Sequence, residues 1–557
     1  MRHGSYPTDA HRGGAILHFA DIYEAIADAV PDAPAISQGS RIVRWSEYDD
    51  GAARLASAFA DQGLGHESKV GMFMYNSPEY LITQYAAFKE RMTPINVNYR
   101  YLDDELTYLL DNADCEAVVY HRSLSDRLAR IRDRLPQLRW CVVVDDGGAP
   151  GGAEVDGSEA FQTVLEEHPP AARRGRAGDD LYMLYTGGTT GMPKGVMYEM
   201  GPFTENFLGF VAAGMGRAPF TSEAEIAEVV AGLVASGAQP KVIPACPLMH
   251  GTGMWLGSLM PQLSGSEVAL LEGRSFDAHE LWKVVERRGV NTLVIVGDAF
   301  GRPMLQALQD RDAQGAGYDV SSINVYISSG AMFSAEVIDG LLDFTPGALV
   351  VDALGSTEGG MAQKLSVKGA IGPTASFAAM PSTKVVGPDD REVVPGSGEI
   401  GIVAVTGSSI PLGYYKDEAK TASTFRVIDG VRYSLPGDMA RVELDGSITL
   451  LGRGSNCINT AGEKVYSEEV EEVVKTHPAV ADCLVFGVDD ERFGQRIIGV
   501  FSAISGNEAP SGDEVIAHAK AKLAGYKVPK QLVVVDVVPR SPNGKADYRA
   551  ARDLVVG

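Results

Sequence analysis

At 557 residues the chain exceeds what one ordinary hydrophobic core serves, and at roughly 150 residues per domain it implies three or four folding units. A hydrophobic fraction of 45% with 22% charged residues excludes disorder and fibrous repeats. The formal charge of -24 sets up a field that repels polyanions, so nucleic acid is not an expected partner, and any phosphorylated ligand must be caught by local donors.

In chain order, Ile22 to Val30 has the periodicity of an amphipathic helix, and Val70 to Tyr75, Ala117 to Tyr120 and Trp140 to Val144 read as buried strands. Gly147 to Glu159 and Pro169 to Gly178, rich in Gly, Pro and Ala, read as surface loops. A second α/β stretch follows, with apolar runs at Leu181 to Tyr185, Thr292 to Val296 and Val325 to Ser328, each leading into Gly, Ser or Thr. Ligands gather at the carboxyl ends of such strands. Leu248 to Leu263 is long and apolar but contains four glycines or prolines and His250, which suits an internal wall better than a bilayer span. Gly387 to Leu451 reads as a small β-rich unit, with strands at Glu399 to Val405 and Ser447 to Leu451. The tail has a helix over Ser467 to His477 and strands at Ala481 to Gly487, Ile497 to Ser502 and Gln531 to Val535, the pattern of a separate α+β domain.

The expected fold class is therefore α/β. A large N-terminal domain over 1–454, with subdomains at about 20–180, 181–386 and 387–453, precedes a small mobile α+β domain over 455–557. Five scattered cysteines, Cys115, Cys141, Cys246, Cys457 and Cys483, lack zinc-site spacing and read as reduced thiols. With no targeting or transmembrane segment visible, a cytoplasmic protein is expected.

The sharpest local signal is Tyr185-Thr-Gly-Gly-Thr-Thr-Gly-Met-Pro-Lys-Gly195, with three threonines, four glycines and one lysine in eleven residues after an apolar strand. Its hydroxyls, backbone N–H groups and Lys194 suit a triphosphate. It is not a Walker A loop, because Lys194 follows Pro193 and precedes Gly195.

Six segments in order resemble the acyl-CoA synthetase, firefly luciferase and peptide-synthetase adenylation superfamily from about Asp21 to Tyr548: this loop, Pro247 to His250, Ser328 to Ala331, Asp352 to Glu358, Tyr433 to Asp438 with Leu451 to Glu471, and Pro539 to Lys545. The set is most similar to actinobacterial fatty-acid and steroid side-chain CoA ligases. The resemblance implies catalytic roles for Lys545, Thr357, Glu358 and His250. It implies ATP or AMP contacts from Thr186, Gly187, Gly188, Thr189, Thr190, Gly191, Lys194, Ser329, Gly330, Ala331, Asp352, Leu354, Gly355, Ser356, Asp438 and Arg453. Glu358 would ligate Mg²⁺, a hard ion suited to carboxylate oxygen. Leu354 stands where an adenine-stacking aromatic is usual, and Pro436 where Thr is usual. Ser455 occupies the hinge. Met249, Gly251, Trp255, Gly297 and Phe300 would line the acyl pocket, where small residues, Gly253, Gly301, Gly330 and Ala331 among them, leave depth and apolar neighbours wall it. Gly462, Lys464, Lys527 and Lys530 would meet coenzyme A.

The implied activity is ATP-dependent activation of a carboxylic acid as its acyl-AMP and transfer of the acyl group to CoA, on a medium- or long-chain fatty acid or a steroid side-chain acid. Loading of a carrier protein and luciferase-like oxygenation share the same adenylation motifs and remain open alternatives. The expected partners are the acid, ATP and CoA, and a homodimer is left open.

Overall fold

Tertiary contacts in the computed structural model divide the chain into two units, one of Met1–Met183, Met197–Lys241 and Ser258–Leu270, the other of Leu184–Val196, Val242–Gly257 and Leu271–Gly557. The structure describes residues 18–148, 155–187, 192–460, 463–490, 494–504, 508–542 and 544–556.

In the first unit the strands Thr93–Asn96, Lys69–Phe73, Cys115–His121, Trp140–Val144 and Glu159–Ala160 form a parallel sheet in that spatial order. These strands are nearly continuous apolar runs, as parallel strands buried on both faces must be. The first helix, Phe19–Ala29, begins three residues before the expected Ile22 because His18 caps it, its Nδ1 accepting the Ala20 N–H at 3.0 Å. Its buried face presents Phe19, Ile22, Tyr23 and Ile26. Lys89, itself buried, pairs with Glu24 at 2.8 Å and Asp49 at 2.7 Å.

The second unit is built on parallel strands Lys241–Pro244, Thr292–Ile295, Val325–Ser329 and Leu349–Ser356. Gly359–Ser366 then returns antiparallel to Leu349–Ser356. The β-rich stretch follows with Gly401–Val405, Asp438–Val442 and Ile448–Arg453 around a core of Met361, Val385, Val403 and Ile448. The tail has a sheet of its own, in which Val480–Asp490 pairs antiparallel with Gly494–Ala503, and Gln531–Val534 runs parallel to the latter. Alternation places Cys483, Val485 and Phe501 against helices Ser467–Lys475 and Gly512–Lys520, and Leu484, Phe486 and Val500 against helix Tyr548–Val556. The molecule is thus mixed α/β with a small α+β C-terminal portion.

Candidate active site

The strand Leu181–Thr186 delivers Thr186 and Gly187, and the strand Lys194–Glu199 begins at the lysine that closes the Gly/Thr loop. Gly188, Thr189, Thr190 and Gly191 lie outside the described residues. The far end of the loop is clasped twice. The Tyr185 ring lies so close to Gly195 that a Cβ there would meet it at 2.7 Å, and the Tyr415 N–H donates to Gly195 O at 2.8 Å. Lys194 Nζ pairs with Asp417 at 3.0 Å and lies 5.6 Å from the centre of the Tyr414 ring.

Tyr414 connects this lysine to the carboxylate expected to meet the metal. Its hydroxyl donates to Glu358 Oε1 at 2.6 Å, while Thr357 Oγ1 donates to Glu358 Oε2 at 3.0 Å and the Glu358 N–H to Ser356 Oγ at 3.1 Å. Burial, reinforced by the Glu358 charge, pushes the Tyr414 phenol well up, so it remains a donor. Glu358 is therefore held at both oxygens. Among the described residues no group of three His, Cys, Asp or Glu side chains forms a metal cage. A single oriented carboxylate fits Mg²⁺, which is bound through one or two carboxylates together with substrate phosphates.

Asp438 opens the strand Asp438–Val442 opposite Arg453, and Arg453 Nε approaches its Oδ1 at 3.4 Å. Burial raises the Asp438 carboxyl and Arg453 opposes the shift, whereas Asp438 is the main influence raising Arg453. Asp438 Oδ2 is covered and has no hydrogen-bond partner among the described residues, which leaves an acceptor for a ligand hydroxyl.

Lys545 closes the constellation. Its Cε lies 3.7 Å from where a Gly330 Cβ would stand, with Thr252 Oγ1 and Val296 around the same point. Burial is the largest influence lowering its ammonium, followed by Arg453, and Glu358 and Asp438 act in the opposite direction. The loop that carries it is braced from within the tail: Arg540 holds Asp482 through Nε at 2.5 Å and Nη2 at 2.7 Å, and donates through Nη1 to Gly544 O at 2.9 Å. His250 is pushed down to about 3, by burial first and by Lys545 second, and its Nε2 is covered. A neutral imidazole thus stands beside the lysine without adding a second positive charge.

The loop after Val325–Ser329 is fixed from below. Gly297 N–H donates to Ser328 Oγ at 3.1 Å, Asp298 N–H to Met332 O at 3.0 Å, and Thr252 Oγ1 to Ser329 O at 3.4 Å. Gly297, at φ +52°, can carry no side chain, because a Cβ would overlap the carbonyls of Met332 and Ala331. This alters the reading of the pocket glycines. The spaces beside Gly251, Gly253, Gly297 and Gly301 are filled respectively by Leu184 and Trp255, the Pro247 carbonyl, the Ala331–Met332 backbone, and Phe333. These glycines permit close packing and do not leave depth. Phe300 is buried, its ring tilted at 59° to that of Phe276 with centres 4.8 Å apart and lying against Gly544, and Met249 is buried.

Asp352 is buried and paired with Lys364 at 3.3 Å, its carboxyl pushed up to about 6 by burial. Leu354 packs on the β-rich core while Gly355 and Ser356 continue the strand toward Glu358. Lys527 is engaged by Glu469 at 2.6 Å, Lys464 and Lys530 are exposed, Ser455 sits in the turn Gly454–Asn456, and Gly462 lies outside the described residues. Tyr414, Asp417, Thr252 and Arg540 also contact these residues; the first two lie in Gly413-Tyr-Tyr-Lys-Asp417, a segment that motif reading passes over, and the others lie inside segments already singled out without being assigned a role.

The description "AMP-binding enzyme" matches residues 23–415, and "AMP-binding enzyme C-terminal domain" matches 469–545. The chain is 41% identical to the 3-oxocholest-4-en-26-oate--CoA ligase of Rhodococcus rhodochrous, covering 96% of each chain. It is 39% identical to the medium/long-chain-fatty-acid--CoA/3-oxocholest-4-en-26-oate--CoA ligase of Mycolicibacterium smegmatis, covering 97% of this chain and 96% of the relative. The fold matches that of the anthranilate CoA ligase AuaEII in complex with anthranoyl-AMP, with a TM-score of 0.82, 20% identity and coverage of 97% and 98%. Matched by these two family descriptions over most of its length, the chain belongs to the AMP-binding enzyme family.

Proposed function

We propose that the chain is an ATP-dependent acid:CoA ligase that forms an acyl-AMP and then an acyl-CoA thioester. The observation that carries this reading is the convergence on Lys545 of Glu358, Asp438, Arg453 and His250, all of which bear on its environment or it on theirs. A carboxylate is a poor acyl donor until one oxygen carries a good leaving group. In the first half-reaction a carboxylate oxygen attacks the α-phosphorus of ATP, and the bond from that phosphorus to the bridging oxygen breaks to release pyrophosphate. Two anions must meet, so the chemistry depends on positioning and charge neutralisation. Lys545 and Arg453 supply positive charge at the α-phosphate, Lys194 and Thr186 receive the leaving pyrophosphate, and Asp438 accepts the ribose hydroxyls. Glu358 would hold Mg²⁺, which when bound neutralises phosphate charge. In the second half-reaction the CoA thiol attacks the acyl carbonyl, loses its proton, and expels AMP.

The C-terminal portion from residue 455 is read as turning about Ser455 between the half-reactions, withdrawing Lys545 and bringing Lys464 toward the acyl-adenylate. Lys527 and Lys530 are candidate contacts for the CoA phosphates. For the acid, the relatives' named substrates support a medium- or long-chain fatty acid or a steroid side-chain acid. The filled spaces beside the glycines remove the sequence argument for a deep pocket but not that support. No helix of the described residues is long and apolar enough to cross a membrane, and a cytoplasmic enzyme belongs to the same reading. Pyrophosphate release measured with and without CoA, followed by mass spectrometry of the product, tests the assignment. An acyl-AMP without CoA and an acyl-CoA with it are expected; absence of both would overturn it.

A further inference from the structure

Gly544, the residue before Lys545, is where the lysine-bearing loop lies against helix Gly297–Ala313. A Cβ on Gly544 would stand 2.9 Å from the Ala299 Cβ and 3.3 Å from both Phe300 Cε2 and Val296 Cγ1, so its backbone is pressed into a seat formed by the start of that helix. Gly544 also holds φ +73°, a conformation that side-chain-bearing residues rarely adopt. Val296 reaches a second point as well. Its Cγ1 lies 3.7 Å from where a Gly330 Cβ would stand, and Lys545 Cε lies at the same distance from that point. The seat is therefore continuous with the place where the lysine stem rests.

Both surfaces are held by their own hydrogen bonds. On the loop side Arg540 Nη1 donates to Gly544 O at 2.9 Å, the Gly544 N–H to Ser541 O at 2.8 Å, and the Ser541 N–H to Lys545 O at 2.9 Å. On the helix side the Gly297 N–H donates to Ser328 Oγ and the Asp298 N–H to Met332 O, while Asp298 Oδ1 accepts the Ser334 N–H at 2.9 Å and its hydroxyl at 3.0 Å. Phe276 backs the Phe300 ring at 4.8 Å. Two preformed surfaces at van der Waals contact have no slack for an added methyl group, so a misfit must displace one of them. Because Lys545 follows Gly544 directly, that displacement passes to the lysine.

We propose that Val296, Ala299 and Phe300 are positioning residues that form a docking seat for the lysine-bearing loop and so set where the Lys545 ammonium stands during acyl-AMP formation. This rests on the two half-reactions proposed above. It confines the influence of the seat to the first of them, since the lysine is withdrawn for the second. Ala299 is where side-chain size decides, because a larger residue there takes the space that the Gly544 backbone occupies.

Three variants of the full chain test the seat from both sides: Ala299→Leu, Gly544→Ala, and Gly544→Ala combined with Ala299→Gly. Each is assayed for acyl-AMP formation across acid and ATP concentrations, and for conversion of supplied acyl-AMP plus CoA to thioester. Ala299→Leu and Gly544→Ala should each lower the adenylation kcat by about tenfold or more, with the acid KM and the thioester half-reaction within about twofold of wild type. Retained thioester formation also shows that the variant is folded. Ala299→Gly removes the methyl that an alanine at 544 would strike, so the double variant should regain at least about threefold of the lost adenylation. No regain would place the defect in the backbone strain of the loop alone and overturn the seat. A rise in acid KM at unchanged kcat, or an equal fall in both half-reactions, would overturn it too. A wild-type enzyme that forms no acyl-AMP would instead overturn the functional assignment.

Discussion

The Tyr414 hydroxyl donates to Glu358 Oε1 at 2.6 Å, joining the residue above Lys194 to the carboxylate expected to carry Mg²⁺. A hydrogen bond to a charged acceptor is worth roughly 1.5 to 3 kcal/mol. Tyr414→Phe should therefore raise the magnesium concentration needed for half-maximal pyrophosphate release by about tenfold at fixed ATP. An unchanged magnesium dependence would show that Thr357 alone orients the carboxylate.

Lys545→Ala should slow adenylation about 100-fold or more, the scale of losing one preorganised charge-stabilising donor, and spare thioester formation from supplied acyl-AMP. Because burial lowers the Lys545 ammonium, the wild-type adenylation rate should fall on the alkaline side with a midpoint below the ordinary lysine value of about 10.4. Lys545→Arg should remove that limb. A midpoint at the ordinary value would place the lysine in water during the reaction.

The ion pair of Lys364 and Asp352 is buried on both sides, so removing one partner leaves an uncompensated charge. Lys364→Met should cost about 3 to 5 kcal/mol of stability, and the double change with Asp352→Leu should recover much of it. Asp352 is already raised in the folded protein, and Lys364 is what restrains the shift. The deficit should be smallest near the unfolded carboxylate pKa of about 3.9 and grow as pH rises through 6. Urea midpoints across that range measure it; a pH-independent deficit would exclude the charge explanation.

Across a panel from acetate through benzoate and octanoate to palmitate and a cholestenoic acid, kcat/KM should climb with apolar size. Each buried methylene contributes roughly 0.8 kcal/mol until the pocket fills. A preference for acetate or benzoate would mean that the close-packed glycines cap a short pocket.

Lys194, Glu358, Asp438, Arg453 and Lys545 each stand out in the sequence because they sit in short segments whose residue types match the proposed chemistry; the fold sets Glu358, Asp438 and Arg453 near Lys545 and links Lys194 to Glu358 through Tyr414. Tyr414 and Asp417 do not stand out, because their roles exist only in the pairing of a turn with a distant strand. The pocket glycines mislead for a related reason: a glycine is equally the mark of open space and of close approach, and only the neighbours decide which. Helix Phe19–Ala29 is foreshortened in the sequence reading because His18 is an uncommon cap.

The Arg540 fork, gripping Asp482 with one edge and the Gly544 carbonyl with the other, keeps the shape of the lysine-bearing tip independent of whatever that tip touches. The ordering entropy of the loop is therefore met once, when the tail folds, and not again at every catalytic cycle. In the proposed turn of the C-terminal portion, Lys545 would travel like the point of a stiff probe, its reach set by the Arg540 guanidinium.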